Sequence, residues 1–432
     1  MTPGRRQTTR RIVALLCCLL PALCVLAKGA YRSTAHGDAL RGPQRRTDVP
    51  RGSCLQCHDQ QTDDSRSTMQ LRADHGLFAP NDDNFCFVCH AAPSASGVFP
   101  GNATWAQSAH GNGRELNRCA NCHDAHGTRD NAGVVPSMLE RREPELCVDC
   151  HDGARGPDIR NQLTKSYVHG GWSRGSHDPR EEGDSVRFGV SNRHVSCSDC
   201  HNAHNVIRDP APSSPDRTNR LAGASRVQVA NGGAGVVPTY RFVAAGDPGD
   251  EQEYEICFKC HSSWTKQPVG QPDLARLTNP NNPSFHPIQA EGRNARIDPR
   301  AFVDGYDTRS VITCSDCHSS DDLSSRGPHG SSFRYLLRKS EDDLCFDCHT
   351  KAVYSDPSAT IANASRFPAH LLHTTARVDC ASCHDAHGSI RNAALILTGR
   401  FPGMSTYVQT PSGGTCTSSC HTPRTYTASY PR

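Results

Sequence analysis

The chain has 432 residues, of which 35% are apolar and 6% aromatic, with 23 cysteines and 23 histidines. Its mean hydropathy is negative, so aliphatic side chains alone make a thin core for this length, yet no low-complexity tract marks the chain as disordered. The formal charge is +3, but the basic excess belongs to the N-terminal leader and the remainder is slightly acidic, which argues against nucleic-acid binding as a primary role.

Residues 1–30 read as a secretory signal peptide: Arg5, Arg6, Arg10 and Arg11 precede an apolar stretch from Ile12 to Ala27, followed by the small residues Gly29 and Ala30. An uncleaved anchor fits less well, because the stretch is short for a span and broken by Pro21. A lipoprotein anchor fits poorly too, since Leu23 precedes Cys24. Cleavage near Ala30 removes five basic residues and no acidic ones, leaving 42 basic against 44 acidic, a balance of −2. No second apolar stretch approaches spanning length, so an exported, periplasmic or extracellular protein without a stable membrane span is expected.

Cys17, Cys18 and Cys24 fall in the leader; the other twenty cysteines form ten pairs, each followed at once by histidine. Residues 31–155 carry Cys54/Cys57/His58, Cys86/Cys89/His90, Cys119/Cys122/His123 and Cys147/Cys150/His151. The looser stretch 156–310 carries Cys197/Cys200/His201 and Cys257/Cys260/His261; residues 311–432 carry Cys314/Cys317/His318, Cys345/Cys348/His349, Cys380/Cys383/His384 and Cys416/Cys420/His421. Successive first cysteines are 32, 33, 28, 50, 60, 57, 31, 35 and 36 residues apart, which sets these three segments as four, two and four sites.

The spacing matches covalent haem c attachment: two thiols on one turn of chain add to the two vinyl groups, and the adjacent imidazole lies over the iron. Structural zinc or a disulfide framework would not require a histidine after every pair. The tenth pair has one extra residue between its cysteines; it reads as a variant attachment site, with a Cys416–Cys420 disulfide as the alternative. Ten buried porphyrins would supply the apolar core that the side chains lack.

Ten histidines follow cysteine pairs, leaving thirteen for the far faces of ten irons. Besides the initiator only Met69, Met138 and Met404 are available, so most haems are expected to be bis-histidine and of low potential. His126, His204 and His387 each lie three residues beyond a proximal histidine and cannot easily reach their own iron, so they are expected to clamp a neighbouring haem. His75, His110, His194, His286 and His329 lie upstream of cysteine pairs beside turn-like residues and are further candidates. His370 and His373 serve one iron or two. His36, His169 and His177 are weaker candidates, His36 because it lies close to the new N-terminus.

Between the motifs, short helices and Gly- and Pro-rich loops are expected, with little β structure. RVQVA and TYRFVAA flank NGGAG and predict a hairpin, with Tyr240 and Phe242 packing on porphyrin. Trp105, Trp172 and Trp264 are read as packing residues, and Asn279 to Pro283 as a surface linker.

The motifs alternate. First members read CANCHDAHG, CSDCHNAHN and CASCHDAHG, and second members LCVDCH, ICFKCH and LCFDCH, in five pairs. This pattern resembles the doubled CxxCH family of bacterial multihaem c-type cytochromes from about Cys54 to His421. The resemblance implies a mostly coil fold with a haem-packed core, and periplasmic or extracellular electron transfer. Its expected partners are other redox proteins: a quinol-linked donor and a terminal acceptor or reductase. Two other functions are carried forward. One is a nitrite- or hydroxylamine-type oxidoreductase with one open haem, although no motif departs from a histidine ligand. The other is self-assembly into an extracellular cytochrome filament.

Overall fold

A computed structural model describes residues 30–58, 76–94, 98–112, 118–131, 133–169, 195–207, 219–247, 249–265, 270–294, 296–322, 325–362 and 364–428. The leader up to residue 29, Met69, His75, Trp172, His177 and His194 lie outside them. Among the described residues no helix is long and apolar enough to cross a membrane. The structure is mostly coil, with short helices and small sheets.

The first nine motifs fold in two ways, and the residues around them explain the difference. First members form three-residue 3-10 turns, at Cys54–Gln56, Cys119–Asn121, Cys197–Asp199, Cys314–Asp316 and Cys380–Ser382. In each, the histidine N–H donates to the first cysteine's carbonyl at 2.8–3.0 Å, which gathers both sulfurs and the imidazole on one turn. Ser196 with Asp199, and Thr313 with Asp316, form capping boxes around two of these turns. Four of the second members are preceded by acidic residues, which favour a helix N-terminus. They form α1 (Asp83–His90), the single turn Glu145–Val148, α2 (Glu253–His261) and α3 (Glu341–Cys345), whereas Cys416 of the fifth lies on a strand.

The chain divides into two compact units, Met1–Cys150 and His151–Arg432. In the first, the N-terminal arm is tied down: Ala30 is buried, and the Tyr31 hydroxyl lies 3.1 Å from the carbonyls of both His36 and Gly52. Asp83 of α1 is also buried, ion-paired to Arg118 at 2.7 Å.

The second unit holds the expected hairpin, strands β1 (Arg226–Ala230) and β2 (Thr239–Val243). It packs on α2 around Val227, Phe258 and Ala275, with Tyr240, Phe242 and Trp264 against that cluster. Phe242 stacks on Trp264 with ring centres 6.5 Å apart, so these aromatics pack on protein side chains. Buried Arg226 is held between Glu251 and Glu255 at 3.3 Å each.

Asn279 to Pro283 is not a surface linker. Asn279 and Asn282 are fully buried, because their amides satisfy loop backbone: Asn282 donates to the carbonyls of Arg276 and Leu277 at 2.8 Å and accepts from Gly235 N–H at 2.9 Å. The unit ends in an antiparallel sheet of β3 (Met404–Thr410), β4 (Gly413–Ser418) and β5 (Arg424–Thr427), with β4 central.

Candidate cofactor sites

Two imidazoles in line across one iron, each nitrogen about 2 Å from it, hold their ring centres about 6 Å apart. Eight pairs among the described histidines meet that condition, each joining one histidine that follows a cysteine pair to one that does not. In the first unit these are His58 with His126 at 6.2 Å and His90 with His36 at 5.9 Å. In the second they are His201 with His329 at 6.0 Å, His261 with His169 at 6.0 Å, His318 with His387 at 6.2 Å, His349 with His286 at 6.4 Å, His384 with His370 at 6.1 Å, and His421 with His373 at 6.2 Å. The residues therefore fit bis-histidine haem.

Hydrogen bonding leaves the right nitrogen for a metal. His123, His201, His318 and His384 each place Nδ1 2.8–3.1 Å from a backbone carbonyl, of Ser137, Arg220, Tyr335 and Ala394 respectively. Nδ1–H donation to a carbonyl fixes the tautomer and presents the Nε2 lone pair. Three of these carbonyls sit on two-residue left-handed segments, at Ser137–Met138, Tyr335–Leu336 and Ala394–Leu395, all with φ of 53–61°. On the facing side, His373 Nδ1 lies 2.8 Å from Ala369 O, and His370 Nδ1 lies 2.7 Å from Ser365 Oγ. Burial pushes His329 and His370 down to about 3, and His261, His286 and His349 down to about 4, so all five are neutral near pH 7, the form a metal needs.

One structural device delivers two facing imidazoles at once. Tyr167–Val168 pairs with Gly330–Ser331, and the ladder runs on with His169 N–H donating to His329 O at 3.2 Å. Ser284–Phe285 pairs with Gly388–Ser389 in the same way, with His286 N–H donating to His387 O at 3.0 Å. The first clamp faces His261 and His201, the fifth and sixth motifs; the second faces His349 and His318, the seventh and eighth. His370 and His373, on helix α4 (His370–Thr375), face His384 and His421 of the ninth and tenth. A Cβ on Gly330 would stand 1.9 Å from Gln162 O, and one on Gly388 2.0 Å from Leu277 O, so only glycine admits the crossing backbone.

Of the sequence candidates, His126, His286, His329, His370, His373 and His387 thus face proximal histidines. His110 is exposed and His204 half-buried; His75 and His194 lie outside the described residues. His36 and His169, weaker in the sequence reading, both take facing positions. A signal for them was present: His36, His126, His169, His329 and His387 are each followed by glycine.

The sulfurs set an order along each unit. In the first, Cys57 lies within electrostatic reach of Cys89, Cys86 and Cys119 are hydrogen-bonded, and Cys122 is within reach of Cys150. In the second, Cys200 reaches Cys260, Cys257 bonds Cys314, Cys317 reaches Cys348, Cys345 bonds Cys380, and Cys383 reaches Cys420 as well as Cys416. Neighbouring motifs thus meet through second cysteines within a doubled motif, and through first cysteines between doubled motifs. None of the twenty described cysteines forms a disulfide, Cys416 and Cys420 included. Burial pushes the Cys200, Cys260 and Cys317 thiols up to about 12.

Residues 110–156 and 309–354 match the doubled CXXCH motif family. The chain is similar to the multiheme cytochrome MtrA of Shewanella baltica, 21% identical over 375 residues that cover 82% of this chain and 81% of that one. No solved structure matches it.

Proposed function

From its place in the doubled CXXCH motif family, we propose that this chain is a decahaem c-type cytochrome, an electron conduit of low potential between redox partners in the periplasm or outside the cell. The observation that carries this reading is the set of eight opposed imidazole pairs, 5.9–6.4 Å apart, each anchored beside a cysteine pair.

Ten haems c would be held by Cys54/Cys57, Cys86/Cys89, Cys119/Cys122, Cys147/Cys150, Cys197/Cys200, Cys257/Cys260, Cys314/Cys317, Cys345/Cys348, Cys380/Cys383 and Cys416/Cys420. When bound, such haems supply reversible one-electron chemistry. The protein's part is to hold imidazole on both faces, which denies the metal to substrates, and to set neighbouring motifs edge to edge. Closed coordination favours conduction over a nitrite- or hydroxylamine-type reaction. Low potential follows from bis-histidine ligation together with scarce methionine. Partners are other redox proteins, a quinol-linked donor and a terminal acceptor or reductase, with filament assembly as the alternative use.

Intact mass of the exported protein tests the reading. The expected result is ten haems on a chain cleaved near Ala30; nine, with Cys416 and Cys420 oxidised, would remove the tenth site. A five-coordinate high-spin signal in the intact oxidised protein would overturn the closed conduit.

A further inference from the structure

Where one doubled motif meets the next, a carboxylate from the first turn of the helix that carries the earlier motif reaches across to the later one. Asp83 accepts from Arg118 N–H at 2.7 Å and from Cys119 N–H at 3.2 Å. Asp342 accepts from Cys380 N–H at 3.0 Å. Glu253 accepts from Ser315 N–H at 2.8 Å and from the Ser315 hydroxyl at 2.6 Å.

The three carboxylates differ in what balances their charge. Asp83 is bound by the Arg118 guanidinium, and its pKa is held below the usual carboxylate value. Glu253 is 4% exposed, and its carboxylate, Cys257 Sγ and Cys314 Sγ lie within 4.8 Å of one another. The charge bearing on it from the seventh motif is Asp316, of like sign. On its own helix, Lys259 donates instead to Asp199 O and Ser225 Oγ, and Glu255 pairs with Arg226. From the hairpin, Arg226 is engaged by Glu251 and Glu255. On the helix Leu274–Leu277, Arg276 donates to Gly235 O.

We propose that Glu253 is a redox-linked proton site: it takes one proton from solvent when one electron enters the haems attached at Cys257 and Cys314, and releases it when that electron leaves. The proposal rests on reading those cysteines as attachment sites. The electron comes from the donor and the proton from water. The added negative charge and the added proton cancel, so the buried junction keeps its net charge. Burial already raises the Glu253 pKa, which places it closer to the range where one extra electron decides its protonation. Asp83 is expected to stay ionised in both redox states.

The test is proton uptake by the intact holoprotein during electrochemical reduction near neutral pH, with haem content read by mass. Wild type is expected to take up more protons than Glu253→Gln at equal haem content, and Asp83→Asn to match wild type. Equal uptake by wild type and Glu253→Gln, both carrying ten haems, overturns the proposal and leaves the conduit reading intact. A mass without haem at Cys257 and Cys314 fails that reading instead. If Glu253→Gln does not load haem, the reduced-minus-oxidised infrared spectrum decides. A carboxylic-acid carbonyl band is expected to appear on reduction and to shift in Ser315→Ala, which removes the hydroxyl donated to Glu253. No such band, or one indifferent to Ser315→Ala, overturns the proposal.

Discussion

His126 follows His123 by three residues, yet its ring faces His58 at 6.2 Å. His126→Ala is therefore expected to open the first haem and leave the third unchanged. Electron paramagnetic resonance of the oxidised variant would show one haem's worth of high-spin signal, and an unchanged low-spin spectrum would contradict the pairing. Burial supplies a second prediction. His286 and His349 fall to about 4 in the folded chain, against an ordinary value of 6.5. A depressed histidine pKa means the unfolded state binds protons first as pH falls, so stability is constant above about 6.5 and lost progressively down to about 4. Denaturant midpoints that decline between pH 7 and pH 5 would show this; a flat profile would contradict it. At this scale the sequence was informative about inventory and poor about partners. Counting thirteen spare histidines needed no structure. That His36 faces His90 could not be counted, because it depends on Tyr31 fastening the arm beside Gly52.

The two-residue ladders make a sharper test at the scale of elements. Because Gly388 passes 2.0 Å (as a Cβ distance) from Leu277 O and its strand also carries His387 beside His286, one methyl group there disturbs two facing imidazoles. Gly388→Ala is expected to perturb the seventh and eighth haems together, and to cost roughly 1–3 kcal/mol of stability by overpacking. Paired changes in the low-spin signals, alongside a lower melting temperature, would be the readout; a change at one haem only would break the clamp argument. The hairpin at Arg226–Val243 was legible because alternating β residues flank a glycine-rich turn. The ladders were not, since two residues carry no periodicity. Nor was the sheet at Met404–Thr427, whose middle strand holds Cys416 and reads as a haem motif before it reads as a strand. Asn279 and Asn282 misled for a related reason: asparagine next to proline signals a turn, and the turn is present, but its amides are consumed by buried backbone.

For the whole molecule, the decisive balance is between buried apolar and buried polar side chains. Among the described residues, 17 buried apolar residues stand against 22 buried polar or charged ones. The apolar cluster among them is built on Val227, Phe258 and Ala275. Side chains of this kind cannot offset the conformational entropy of more than 400 residues without a further apolar component. The opposed imidazoles add a topological reason: His126 and His329 face motifs 68 and 128 residues earlier in the chain, so a metal joining each pair closes a long loop. Cofactor attachment and folding are then one event. Chain exported by cells unable to attach haem is expected to remain expanded and protease-sensitive, with small-angle scattering giving a radius far above that of the loaded protein. Replacing only Cys416 and Cys420 by serine is expected to leave nine haems and a compact molecule, because the β3–β5 sheet holds its own hydrogen bonds, including Tyr407 with Tyr426 at 3.0 Å. A haem-free chain that is nonetheless compact would show that the coil carries a core of its own, and would detach folding from the electron path.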